Sequence, residues 1–237
     1  MRTYILLLFL LVSILSGFSQ NTKNVTCIYK IYTPFDIKIV KPSSLNDKIL
    51  KTSPLSYVLK INNNKSLFKL VEKLSVGDVN AQSLRLRKIM SFQGDNVSVD
   101  VDKDEIFEIR ESLGAKFAVK TKVSDYKWNI TSDTKIIDKY TCLKAVCQVP
   151  GLGRDAVLIK KEVVAYFCPE LNYRFGPREF CGLPGLILEI LVDNNVIGLD
   201  SITFDDTSSN DDFTKQTSND YKIFNSYEDL FFHLYGK

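Results

Sequence analysis

The chain reads as mainly β: a single antiparallel, strongly curved sheet of half-barrel or sandwich type, with a short C-terminal helix. Three observations predict this. Short segments of alternating, β-branched and aromatic residues recur from Val25 to Phe204, breaks rich in Asn, Gly, Pro and Asp separate them, and helical periodicity is confined to the C-terminus. Strands in this number expose edges that must be paired or covered, so curvature or a second layer is expected.

Taken in order, the elements follow from their side chains. Val25 to Tyr32 alternates as a first strand, and Pro34 and Pro42 mark an irregular stretch after it. Ser56 to Ile61 and Ser66 to Leu74 flank Asn62-Asn63-Asn64, a hairpin turn because asparagine tolerates positive φ. Arg85 to Phe92 and Val97 to Val101 flank Gln93-Gly94-Asp95-Asn96. Ile106 to Glu111, Lys116 to Val123, Tyr126 to Thr131, Lys139 to Val149, Ala156 to Phe167, Leu186 to Val192 and Val196 to Phe204 continue the series. Residues 205–220, polar and poor in large apolar side chains, are expected to form a mobile loop. Ser226 then caps a helix over Tyr227 to Tyr235, with Leu230, Phe231, Leu234 and Tyr235 as its apolar stripe.

Residues 1–19 have the build of a secretory signal peptide: Arg2, an apolar run from Tyr4 to Leu15, and a small-residue exit at Ser16-Gly17-Phe18-Ser19. The run is short of the roughly 20 apolar residues a membrane span needs, and no later segment is long enough. Cleavage after Ser19 leaves 237 − 19 = 218 residues, consistent with one domain over 20–237. Lys+Arg of 31 against Asp+Glu of 28 gives +3, or +2 without Arg2, which argues against a nucleic-acid partner.

Export would put Cys27, Cys142, Cys147, Cys168 and Cys181 in an oxidising compartment. Two bridges among five cysteines allow 5 × 3 = 15 connectivities. The pair expected first is Cys168 with Cys181, which flank the loop from Pro169 to Phe180 and whose closure would contribute roughly 3 kcal/mol.

Gly182-Leu183-Pro184-Gly185-Leu186-Ile187-Leu188-Glu189-Ile190 joins a tight turn to a strand. Pro184 presets φ, and Gly185 is expected to supply the positive φ of a type II turn. Simple alternation sends Leu186, Leu188, Ile190 and Val192 one way, and Ile187, Glu189, Leu191 and Asp193 the other. Upstream lie Trp128-Asn129-Ile130, Lys135-Ile136-Ile137, Tyr140-Thr141-Cys142, Lys144-Ala145, Ala165-Tyr166-Phe167, Pro169-Glu170-Leu171, Gly176-Pro177 and Phe180. Together these resemble the signature of the GLPGLI family over about Trp128 to Ile190, and Asn63 to Phe68 more weakly resembles its N-terminal hairpin. Cys147, Cys168, Cys181 and Lys139 depart from that pattern.

The resemblance implies an exported protein of Bacteroidetes-type bacteria, of a family with no assigned biochemical role and reminiscent of components found beside outer-membrane uptake receptors. The binding candidates are Trp128, Tyr140, Lys144, Glu170, Arg178 and Glu189. Trp128 reads first as a core plug, and Tyr140 equally as an anchor of a core edge through its hydroxyl. Glu189, the carboxylate inside the apolar run, needs a partner if buried, with Arg178 or Lys144 the nearest motif cations.

Three tempting motifs are weak. Gly151-Leu152-Gly153-Arg154-Asp155-Ala156 matches a dinucleotide fingerprint but precedes a strand rather than a helix. Asp100, Asp102, Asp104 and Glu111 match calcium-loop positions, yet Glu105 stands where that loop needs glycine. His233 is the single histidine, and no nucleophile elbow or zinc motif accompanies it. The sequence therefore points to a non-enzymatic binding or accessory protein of the cell envelope, periplasmic or extracellular, without cofactor. Its partner would be an envelope protein or a small ligand. A hydrolase using paired carboxylates, with Glu170, Glu189 and Arg178 as its charged residues, and a structural surface module are the alternatives.

Overall fold

The computed structural model describes residues 24–33, 54–71, 96–112, 114–152, 157–205, 213 and 221–236. The signal peptide expected at residues 1–19, the strand expected at Arg85 to Phe92 and most of the 205–220 segment lie outside them. The first half is a meander: β1 (Asn24–Tyr32), β2 (Leu55–Asn62), β3 (Lys65–Leu70), β4 (Asn96–Asp100), β5 (Glu105–Ser112) and β6 (Ala115–Thr121) pair in succession. A 3-10 turn at Val123–Asp125 leads to the second half, β7 (Asn129–Ile137), β8 (Tyr140–Leu152), β9 (Leu158–Cys168), β10 (Leu186–Val192) and β11 (Asn195–Asp205). β12 (Lys222–Phe224) and the helix α1 (Tyr227–Tyr235) complete the described chain.

The strand order is β12-β6-β5-β4-β3-β2-β1-β11-β10-β9-β8-β7. The two halves meet where β1 pairs with β11, and every neighbouring pair is antiparallel except β12 with β6, which is parallel. The sheet is thus one open, mixed, twelve-stranded layer, not the all-antiparallel, strongly curved half-barrel or sandwich that strand count suggested. The expectation failed because the sheet does not cover its own apolar face. The connection between β9 and β10 does, laying Leu171, Phe175, Phe180, Cys181 and Leu183 into the main core. Each such apolar side chain contributes about 1.5–3 kcal/mol when fully buried.

Alternation places Val25, Cys27, Tyr29 and Ile31 of β1, with Leu55, Tyr57, Leu59 and Ile61 of β2, on this covered face. Tyr57 stacks on Phe68 with ring centroids 4.9 Å apart, and the Tyr29 hydroxyl donates to the Ile187 carbonyl at 2.6 Å. Buried hydroxyls require such partners. A smaller cluster of Phe117, Val119, Phe224, Tyr227 and Leu230 forms beneath α1, whose Ser226 hydroxyl accepts from the Asp229 N–H as the capping pattern predicts.

The Pro-Gly reversal differs from expectation in two ways. Gly185 does not have positive φ; Gly182 does, at 92°. The Gly185 N–H donates to the Leu183 carbonyl at 2.9 Å, so Pro184 centres a three-residue γ-turn rather than a type II turn. Beyond it, a bulge between Ile187 and Glu189 breaks simple alternation. Ile187 stands opposite Phe167 and Ile190 opposite Ala165, so these two isoleucines share a face, with Glu189 across from Tyr166 on the other.

All five cysteines are free and buried. The bridge expected between Cys168 and Cys181 does not form, because the intervening segment spreads over the core instead of closing on itself. Gly182 donates to the Arg174 carbonyl at 2.9 Å and the Cys181 carbonyl accepts from the Trp128 indole, which hold Cys181 beside those residues.

Candidate binding site

The candidate residues separate into three places. On the face shared by β8, β9 and β10, Lys144, Tyr166 and Glu189 line up across the strands. The partner of Glu189 is neither Arg178 nor Lys144 but Lys135 of β7, at 2.5 Å, whose ammonium also lies 4.9 Å from the Tyr166 ring centre. Lys144 instead pairs with Asp133 at 3.1 Å, and that hydrogen bond raises its pKa. Glu170 is exposed in the turn after β9, and Tyr140 is buried at the start of β8 with Lys139 over its ring. These surface pairs organise the face without contributing much energy.

Trp128 belongs to the core. Its indole N–H donates to the Cys181 carbonyl at 2.9 Å and its ring packs with Tyr126 and Phe180. Tyr126, expected in a strand, lies before β7 in the segment that helps cover the sheet.

Arg178 belongs to a buried ionic cluster that the sequence reading missed. With φ of 59°, it turns its guanidinium onto Glu179 through two bonds of 2.9 and 2.8 Å. Glu108 and Arg110, two apart on β5 and so on one face, form an ion pair at 2.9 Å. The Tyr227 hydroxyl of α1 donates to the other Glu108 oxygen at 2.5 Å, and Arg110 lies 5.1 Å from the Tyr227 ring centre. Glu108 and Glu179 are 1% and 4% exposed.

Burial pushes the Glu179 carboxyl above its ordinary range; Arg178 opposes this and Glu108 adds to it. Burial works against the charge of Arg110, but Glu108, Tyr227 and Glu179 outweigh it and hold the guanidinium above its usual value. Burial, reinforced by these carboxylates, also raises the Tyr126 and Tyr227 phenols well above the ordinary range. Two carboxylates and two guanidiniums are thus gathered in one largely buried cluster. The signals in the sequence were the Arg178-Glu179 doublet between Pro177 and Phe180, beside the aromatic and apolar residues of the connection, and the alternation Phe107-Glu108-Ile109-Arg110.

Next to this cluster the surface opens into a cleft of about 660 Å³. Val146, Val149 and Pro150 of β8 and Leu158 and Ile159 of β9 supply its apolar walls. Asp125 and Lys127 from the segment before β7, Lys160 from β9 and Glu228 from the first turn of α1 bring charge to its lining. Cys147 lines it as well, but burial pushes that thiol up to about 12, with Glu179 adding to the effect, so it stays protonated and a poor nucleophile. A concave, mainly apolar wall with a few charges is the usual form of a ligand site.

The carboxylates at calcium-loop positions diverge. Asp100 pairs with Lys65 and Lys103, Asp102 accepts from Asn64, and Asp104 accepts from the Ser124 N–H and hydroxyl at 2.8 and 2.6 Å. Glu111 lies exposed near the end of β5. Among the described residues no group of three or more His, Cys, Asp or Glu gathers to hold a metal.

Comparison with known proteins gives a likeness of fold and a match of one segment to an uncharacterised family. Residues 153–189, which include Gly182 to Glu189, match a family described as "Protein of unknown function (Porph_ging)". No curated protein matches the sequence. The chain is similar in fold to PNGF-II in two crystal forms, with TM-scores of 0.53 and 0.51 at 13% and 14% identity. In each case 89% of this chain is covered but only 33% of PNGF-II, so the chain spans about a third of that protein's length. No helix among the described residues is long and apolar enough to cross a membrane.

Proposed function

We propose that the chain is an exported, non-enzymatic binding or accessory protein of the cell envelope, of the GLPGLI type, and that its ligand or partner enters the cleft beside β8 and β9. The observation that carries this reading is the cleft itself, open to solvent, apolar-walled and edged by charges of both signs. Export rests on the N-terminal apolar run, and the accessory role beside an uptake receptor on the motifs from Trp128 to Ile190.

The paired-carboxylate alternative finds less support. Glu170, Glu189 and Arg178 are drawn to different places, and the carboxylates that do share an environment, Glu108 and Glu179, are shut inside the core with their own partners. A general acid must reach the reacting atom.

Affinity capture of the mature chain from its own cell envelope tests the proposal. Ile159 lines the cleft and is 43% exposed, whereas Ile136 on β7 is 73% exposed and is not part of that lining. Wild type and Ile136→Asp should retain the same ligand or partner, and Ile159→Asp and Lys160→Glu should lose it. Equal capture by all four proteins would end the cleft assignment. Turnover of a model glycoside that disappears on changing Glu170 or Glu189 would end the non-enzymatic one.

A further inference from the structure

We propose that Cys142 and Cys168 are a cross-strand pair that closes to a disulfide between β8 and β9. The ladder between these strands reads Lys144 opposite Tyr166 and Leu143 opposite Phe167. One further step sets Cys142 opposite Cys168, and both residues lie within their strands. Cys168 is fixed in turn by standing opposite Leu186 on β10.

Residues directly opposite in an antiparallel pair have Cα atoms about 4.5 or 5.5 Å apart, depending on whether the pair is hydrogen-bonded. Both values fall inside the roughly 4.4–6.8 Å that a disulfide spans. The two thiols are also close enough for Cys168 to influence the charge of Cys142. The Cys142 thiol donates weakly to the Tyr140 carbonyl at 3.7 Å, a contact that closure would give up. No comparable register relates the other three thiols: Cys27 stands on β1 opposite Leu59, Cys147 on β8 opposite Val163, and Cys181 in the covering segment.

The chemistry needs an oxidant, and a small disulfide such as oxidised glutathione supplies it. One cysteine thiolate attacks a reagent sulfur, forming a mixed disulfide and releasing one reagent thiolate. The second cysteine then attacks the protein sulfur of that mixed disulfide and releases the other. In total the two cysteines lose two electrons and two protons, and one reagent disulfide becomes two thiols. Both side chains are fully buried, and burial pushes the Cys142 thiol up to about 12. Closure is therefore fast while β8 and β9 are still assembling and slow once the core has closed.

The test is to refold reduced chain with excess oxidised glutathione, trap free thiols by alkylation, and map peptides without reduction. A Cys142–Cys168 linked peptide with the loss of two hydrogens is expected, and the oxidised protein should melt several degrees higher than the reduced one. Cys142→Ser and Cys168→Ser should each abolish that peptide, whereas Cys181→Ser should retain it. The wild-type map is decisive by itself, should a serine variant fail to fold. Alkylation of both Cys142 and Cys168 after refolding, or linkage of Cys168 to Cys181, would overturn the proposal.

Discussion

A Cβ built on Gly185 would stand 2.3 Å from the Cys168 carbonyl oxygen and 2.7 Å from its carbon, backbone that the pairing of β9 with β10 holds in place. Neither strand can yield without breaking that ladder, so glycine is required for space. Gly182 differs: its added Cβ would meet Val123 at an ordinary 3.5 Å, but its φ of 92° is strained for any other residue. We expect Gly185→Ala to cost about 1–3 kcal/mol as overpacking and Gly182→Ala to cost about 1–2 kcal/mol as backbone strain. Urea denaturation measures both, and a neutral Gly185→Ala would show that the two strands can part at this point. Glu179 allows a pH prediction. Its folded pKa is raised above the usual 4.5, so the folded state holds the proton more tightly than the unfolded chain. Stability from this group is complete below pH 4.5 and is lost as pH rises through the folded value. Wild type should therefore lose stability relative to Glu179→Gln from pH 4.5 towards neutrality. Urea midpoints in which the wild type gains on the variant over that window would reverse the assignment.

The strand segments were legible because each alternates and ends in turn residues; β10 and α1 begin and end where periodicity put them. β7 was not. Between Ile130 and Thr134 its register against β8 shifts, which adds residues without adding apolar positions, and the strand runs on to Ile137. That irregularity, with Asp133 and Lys135 beside it, also shields the outer edge from pairing with another chain. β12 has only three residues, too few to announce a parallel partner. Each ionic pair left a signal in the sequence, but their meeting was illegible: the members come from β5, the connection before β10, and α1, which only the tertiary fold brings together. At Gly185 the sequence implies a dihedral requirement, since it shows turn residues but not the backbone they face. The contact between β5 and α1 is testable. Tyr227→Phe removes the donor to a buried Glu108 oxygen while keeping the ring under α1. Hydrogen bonds to charged groups contribute about 1.5–3 kcal/mol, more than the roughly 1 kcal/mol of an N-cap. Tyr227→Phe should therefore destabilise more than Ser226→Ala in urea, and should speed amide exchange throughout α1. Equal effects would mean that the helix is held by its apolar stripe alone.

Two meanders, β1 to β6 and β7 to β11, are joined along β1, the first described strand, and β11, the last before β12 and α1. The seam lies at the middle of the sheet, and beside it Tyr29, Tyr57, Leu59, Ile61, Ile190 and Ile197 are almost fully buried. At the margins the packing is thinner: β7 is exposed along most of its length, and β12 contributes one buried residue, Phe224. Pairing across the seam demands the longest loop closure among the described strand pairs, so it is expected to form late on folding, and almost fully buried side chains lie beside it once formed. Exchange from β1, β2, β10 and β11 should thus require global unfolding, whereas β7 and β12 open locally. Native-state hydrogen exchange in rising sub-denaturing urea should show the amides of the seam strands converging on one large free energy with the full urea dependence of unfolding. Those of β7 and β12 should exchange with little dependence on urea. Were the seam to exchange as freely as β7, the meanders would be two units opening independently, and the single core spanning them would have to be abandoned.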